Sequence, residues 1–242
     1  MRTYIWSLPT RLSHWLVVIA LVVAYILGGE EEYINTHVAF GYLAGTLVLF
    51  RIIWGIFGPR YSRFSDFPVG IGKIKEFVTN MKSTKLKYPG HNPAASLIMI
   101  SILIIILLVV FSGLANLASE GQGLLTFLNL PKESEFFEEA HEVMVNILIA
   151  LVIIHLLGIA VDTIFNVETG TLASILTGYK KLNAERVRLN AFQKVLGIVW
   201  ITGALTLFSA TITSQNLKLN DSEKETEDGA SQNMEDEEVE ED

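Results

Sequence analysis

Cysteine is absent from all 242 residues of the chain. That absence excludes disulfides, thiolate zinc sites, cysteine-ligated iron–sulfur clusters and a covalently attached c-type haem, which needs Cys-x-x-Cys-His. Any redox cofactor must therefore be held by histidine, methionine or noncovalent packing. The absence carries no information about compartment. No repeat of solenoid type is visible. The first apolar stretch lacks a small-residue cleavage site such as Ala-x-Ala, so we expect a retained span rather than a removed signal peptide. Ionisable groups are scarce inside the apolar stretches, where Asp162 is the main acid.

What is present is apolar and arranged in blocks. Half of the residues are hydrophobic and the mean hydropathy is +0.41, above what a water-soluble domain needs. A hydrocarbon core about 30 Å thick requires roughly 20 apolar residues at 1.5 Å rise each. Five stretches qualify, at about 12–28, 37–57, 95–117, 141–165 and 191–213. The third, running through Ser101 to Phe111, is the least ambiguous.

The loops set the expected orientation. Arg2 and Arg11 precede the first span, and Arg60, Arg63, Lys73, Lys75, Lys82, Lys85 and Lys87 separate the second from the third. Lys180, Lys181, Arg186 and Arg188 separate the fourth from the fifth. The opposite side holds Glu30, Glu31 and Glu32, then Lys132 among glutamates, then Lys218 and Lys224. This asymmetry predicts a cytoplasmic N-terminus and an external C-terminus. The net charge of −8 comes mostly from the last twenty or so residues. From about Asn216 the chain is too polar and too acidic to bury a core, and disorder is expected there. Such a tail either aids solubility or draws a basic partner electrostatically.

Four of the five histidines lie in or at the edge of spans: His14, His37, His141 and His155. Intramembrane ionisable groups mark functional sites by default. His14 stands at the inner end of the first span, His37 at the outer end of the second and His141 at the outer end of the fourth. His155 follows fourteen residues later, about 21 Å deeper and within roughly 40° of the same helix face. One span thus offers two histidines on one stripe, matched in depth by single histidines on two others. The pairs are His14 with His155 and His37 with His141, whichever way the chain is oriented. Facing histidines on bundle helices suit the two axial positions of a haem iron, with one-electron transfer as the chemistry. A proton relay, a copper or zinc pathway, or a structural role would use the same residue type.

Smaller features accompany these. His91 lies in the basic loop beside Asn92-Pro93, where a local turn role competes with a quinone-site or propionate contact. Gly41 and Gly45 leave room for close helix approach or for a porphyrin edge. Arg11, Arg51, Arg60 and Arg63 lie near the inner histidine level, where arginine pairs with carboxylates such as propionates or simply supplies inside-positive charge. Trp15, Trp54 and Trp200 lie in or near span ends, as interfacial anchors do.

Several motifs follow one another in order. They are Trp6-Ser-Leu-Pro9-Thr-Arg11-Leu-Ser-His14-Trp15, His37-x-x-x-Gly41-Tyr42-x-x-Gly45, Arg51-x-x-Trp54-Gly55-x-x-Gly58 and Tyr61-Ser-Arg63-Phe64-x-x-Phe67. Gly90-His91-Asn92-Pro93, His141-Glu142, His155 and Thr177-Gly178-x-Lys180 continue the series. Together they resemble the bacterial cytochrome b561 / nickel-hydrogenase cytochrome b-subunit family over residues 1–182, with Ser7 where that family usually has aspartate. The resemblance implies a four-helix bundle with two noncovalent b haems whose axial-ligand positions match His14, His37, His141 and His155. It also implies electron exchange between the membrane quinone pool and a partner redox protein in respiratory electron transport.

The expectation is therefore an all-α protein of the bacterial plasma membrane. A four-helix transmembrane bundle (1–182) holds two haems, followed by a fifth transmembrane helix (183–214) and a disordered acidic tail (215–242). The haem irons are bound by the four histidines, with Arg11 and Arg51 as propionate contacts. Expected partners are membrane lipid, quinone or quinol, and a periplasmic c-type cytochrome or a hydrogenase or reductase subunit; nucleic acid is not among them. Two alternatives stand beside it: a histidine-based proton or metal transporter without haem, and a haem-bearing anchor for a hydrogenase, dehydrogenase or reductase complex.

Overall fold

A computed structural model describes residues 1–80, 88–131 and 135–213. The acidic tail, Lys82, Lys85, Lys87 and Lys132 lie outside the described residues. Five helices are long and apolar enough to cross a membrane: α1 (Leu8–Leu27), α2 (Ile34–Phe57), α4 (Pro93–Ser119), α5 (Glu135–Phe165) and α7 (Ala191–Thr213). Between them lie two short helices, α3 (Ile71–Thr79) and α6 (Thr171–Thr177). The chain is a multi-pass helical membrane protein.

Local chemistry fixes where the helices begin. Pro9 sits in the first turn of α1 and Pro93 in that of α4, where the missing N–H costs nothing and φ is already helical. Asn92 caps α4, its Oδ1 accepting from the backbone N–H of Ala95 at 2.8 Å. Asn190 and Gln193 form a reciprocal cap before α7, each side chain accepting from the other's backbone N–H at 2.8 and 3.2 Å. The helices therefore outrun the apolar stretches, most of all α5, which starts at Glu135. Hydropathy reports the acyl layer, whereas a helix continues through the headgroups until a cap or turn ends it.

α1 packs along α2, α2 meets α4, and α4 packs along α5. Val48, Ile106, Val109 and Leu148 form the core between α2, α4 and α5. α1 and α5 make no extensive contact with each other, so the seam between them is not closed by helix packing. α7 docks behind the α1–α2 pair. Ala204 joins Ala20, Leu43, Ala44 and Leu47 in one cluster, and Phe208 lies 4.7 Å from Phe40 between ring centres.

Two expectations about aromatic residues are corrected here. Trp54 is no interfacial anchor: it is wholly buried, and its Nε1–H donates to Thr10 Oγ1 at 2.9 Å. Trp200 lies in the middle of α7 and donates to the Thr46 carbonyl at 3.0 Å. An indole N–H that finds a partner inside the bundle no longer needs the headgroup layer.

A two-residue ladder closes the bundle at one end. β1 (Thr3–Tyr4) runs antiparallel to β2 (Tyr179–Lys180), pairing Thr3 with Lys180 and Tyr4 with Tyr179. The Gly178 carbonyl accepts from both Ile5 N–H and Trp6 N–H, at 2.8 and 3.1 Å. Gly178 has φ +86°, and a Cβ there would stand 2.6 Å from Tyr4 Cε2. The Thr177-Gly178-x-Lys180 motif thus ties the segment after α6 to the start of the chain, and only glycine fits the turn.

Candidate functional site

His37 stands in the first turn of α2 and His141 near the N-terminal end of α5. Their ring centres are 6.1 Å apart, with the ring planes at 80°. Both rings are fixed through Nδ1. That of His37 lies 2.8 Å from the Ala24 carbonyl on α1, and that of His141 lies 3.0 Å from the Val109 carbonyl on α4. A carbonyl only accepts, so each Nδ1 carries a hydrogen, and in the neutral tautomer this leaves the lone pair on Nε2. Ser112 Oγ, itself donating to the Val109 carbonyl, is 3.2 Å from His141 Nδ1. All four helices of the bundle thus contribute to orienting two rings.

Two glycines make room for these rings. A Cβ at Gly28, just past α1, would lie 3.2 Å from the His37 ring, and one at Gly113 on α4 would lie 3.0 Å from His141 Cε1. Neither glycine, nor Ser112, is singled out by the motif reading above. An isolated glycine inside an apolar span was the available signal. Replacing Gly113 by alanine should push the His141 ring by a few tenths of an ångström, and the redox potential and low-spin EPR signal of a haem bound there should shift. Unchanged spectra in Gly113→Ala would show that the ring is not seated against this glycine.

The structure separates the two glycines that follow His37. A Cβ on Gly45 would lie 2.9 Å from Val110 Cγ1, so Gly45 serves the α2–α4 contact. Around Gly41, one turn from His37, nothing lies within 4 Å of a Cβ position, and the same holds at Gly158, three residues after His155.

At the other end, His14 lies within electrostatic range of both His155 and Arg51. His14 Nδ1 is buried without a hydrogen-bond partner, an arrangement native proteins rarely leave uncompensated. Arg51 donates to the Ser62 carbonyl at 3.2 Å and lies over the Phe64 ring. Among the described residues the ion pairs are Arg60 with Glu185 and Arg63 with Asp66. Those two arginines hold carboxylates, whereas Arg51 has no carboxylate partner among the described residues. Arg11 donates to the Leu176 carbonyl, and its Nε is buried without a partner.

The turn role expected of His91 belongs instead to Asn92 and Pro93. The His91 ring lies between Trp6 and Phe67, at 4.9 Å from each ring centre. Burial, first, and then Arg51, Lys180, His155 and His14 push its pKa well below the usual value of 6.5. Lys180 is also buried, donating to the Gly90 and Tyr88 carbonyls at 3.0 and 3.4 Å. Burial lowers its pKa to about 8, opposed by Asp162. A neutral His91 in the folded state and a titrating one in the unfolded state give a definite sign. Its contribution is fully present above pH 6.5 and is lost as pH falls toward the folded pKa. Below about pH 6, His91→Phe should therefore flatten the pH dependence of unfolding by up to about 1.4 kcal/mol per pH unit. Parallel melting curves from pH 7.5 to 5 for both chains would contradict a ring held neutral in the fold.

These residues fit an iron macrocycle held from both sides. Two metal–nitrogen bonds of about 2 Å in line set facing imidazole rings roughly 6 Å apart between centres, which is the spacing of His37 and His141. Protein N–H···O=C bonds at the far nitrogens are the outer-shell contacts that orient ligating histidines. Open space beside Gly41 and Gly158 leaves room for a flat ring, and the basic groups near His14 suit its carboxylates. A bare ion is served less well. Among the described residues no three histidine, aspartate or glutamate side chains converge on one point, and zinc sites take at least three protein ligands.

Apolar spanning helices with histidines facing one another between them define a class, the histidine-paired helical membrane bundles. Within it, the model of the family described as "Prokaryotic cytochrome b561" matches residues 5–178, and the chain belongs to that family. A probable Ni/Fe-hydrogenase B-type cytochrome subunit of Bradyrhizobium diazoefficiens is 28% identical over 149 residues. That alignment covers 50% of this chain and 60% of the relative, so the match spans less than two thirds of the relative's length. No solved structure matches the chain. The family is one of b-type cytochromes, and this chain is a multi-pass membrane member of it.

Proposed function

We propose that the chain carries electrons across the membrane between the quinone pool and a redox protein at the outer face. Two b haems would serve this path, one held by His37 and His141 and the other by His14 and His155. The observation that carries the reading is the His37–His141 pair, whose Nε2 atoms are freed by two backbone carbonyls on two further helices. Haem held by these histidines would supply one-electron transfer. Arg51, and Arg11 through its unpartnered Nε, would neutralise the propionates.

The four-helix unit (1–182) would hold the haems, with 183–214 as an added span and 215–242 as an acidic tail. The basic loops support a cytoplasmic N-terminus. The relative's name supports a hydrogenase as the partner, and a c-type cytochrome would suit the acidic tail by electrostatic steering. Reduced-minus-oxidised spectra with pyridine-haem quantification on purified protein test the core of the proposal. About two b haems per chain, reduced by a soluble quinol analogue, are expected. Folded protein without haem from a haem-competent host would overturn the haem assignment. Haem reducible by dithionite but not by quinol would remove the quinone.

A further inference from the structure

α3 is a sharply two-faced helix. At about 100° per residue, Ile71, Ile74, Phe77 and Val78 fall within an arc of roughly 120°. Lys73 and Lys75 stand one on each border of that arc, and Gly72, Glu76 and Thr79 occupy the opposite side. The protein covers only part of the apolar face. Ile74 and Phe77 are half-buried where α3 leans on α4, and Phe77 meets the Tyr88 ring at 5.9 Å. Ile71 remains 88% exposed and Val78 55%.

Position says what covers the remainder. α3 lies between the end of α2 at Phe57 and the start of α4 at Pro93, on the membrane surface where both spans terminate. The helix it leans on presents Leu97, Ile104, Leu108 and Phe111 outward, so α3 adjoins a lipid-facing wall. A soluble partner reaching Ile71 and Val78 would have to displace that lipid. Lysines at both borders of an apolar arc are the arrangement of a helix lying in a bilayer interface, stems along the acyl boundary and ammonium groups among the headgroups.

We infer that α3 lies flat in the headgroup layer, with Ile71, Ile74, Phe77 and Val78 toward the acyl chains. Lys73 and Lys75 bind the phosphates of anionic phospholipid. The attraction of such lysines to an anionic leaflet falls off within a Debye length, so it acts only on a helix already at the surface. This inference does not rest on the haem reading.

The cysteine-free sequence makes the test direct. Single cysteines replacing Ile71, Gly72, Val78 or Thr79 in the full chain are spin-labelled and reconstituted in phosphatidylcholine, alone or mixed with phosphatidylglycerol. Labels at 71 and 78 should be accessible to oxygen and shielded from a water-soluble nickel chelate, with the reverse at 72 and 79. The mixed bilayer should deepen the label at 71, and Lys73→Gln with Lys75→Gln should abolish that deepening. Unchanged helical content and thermal unfolding in each variant show that the fold is intact. Chelate reaching all four positions alike, as on a face open to a protein partner, would overturn the inference. So would a depth at 71 that ignores both phosphatidylglycerol and the two lysines.

Discussion

Purified from a haem-replete host, the His141→Ala chain should carry about one b haem against the two proposed for the parent. The larger information lies in the double variants. If His37 and His141 hold one macrocycle, then removing both should cost no more haem than removing either, because the first loss already empties the site. Removing His141 together with His155 should instead leave none. Such non-additivity within a pair and additivity across pairs is the signature of groups acting as a unit. The hydrogen bonds to Ala24 and Val109 explain why no neighbour substitutes: each ring is aimed through its far nitrogen, and other side chains lack that anchor. External imidazole should restore haem to His141→Ala, separating a missing ligand from a misfolded bundle. Full haem content in both His37→Ala and His141→Ala would sink the pairing.

Replacing Trp54 by alanine should produce the largest loss of stability from a residue outside the histidine sites. Trp54 is among the largest fully buried side chains. Its ring lies 5.2 Å from Phe50, and its edge faces Gly197 on α7. Its N–H reaches Thr10 on α1, whose hydroxyl also meets Ser7 at 2.8 Å and Ser62 at 3.1 Å. One side chain thus joins α1, α2 and α7. Burying an aromatic ring and then deleting it costs about 3–5 kcal/mol, transfer and cavity together. Trp54→Phe keeps most of the apolar volume and loses one hydrogen bond, for about 1 kcal/mol, because Thr10 retains Ser7 and Ser62. Unfolding in increasing SDS or by heating should order the chains parent, Phe, Ala, with Ala far below. A Trp54→Ala midpoint equal to the parent's would show that α7 and α1 do not depend on this junction.

Much of this architecture is written along the chain. Span number follows from acyl-layer thickness, and the depth of each histidine follows from a fixed rise per residue. Because α5 is one straight period, His141 and His155 share a stripe whatever the rest of the molecule does. Motif order likewise carries the family. These are local properties, fixed by bond geometry and the cost of putting polar groups in hydrocarbon.

Other features were decided only when distant segments met. Which nitrogen of His37 and His141 is free depends on carbonyls of α1 and α4, far away in sequence. The value of Gly28 and Gly113 lies in rings brought against them from other helices, and Gly45 differs from Gly41 only through Val110. His91 reads as a loop residue, yet Trp6 and Phe67 enclose it because β1 and β2 draw the chain's start against the segment after α6. Trp54 and Trp200 look like anchors until Thr10 and Thr46 supply their partners. Sequence by itself determined the spans, the depths and the shared stripe, since each is set within one helix by rise, twist and hydropathy. Tertiary structure decided ring orientation, burial and the role of each glycine, because those depend on what another helix places within about 4 Å.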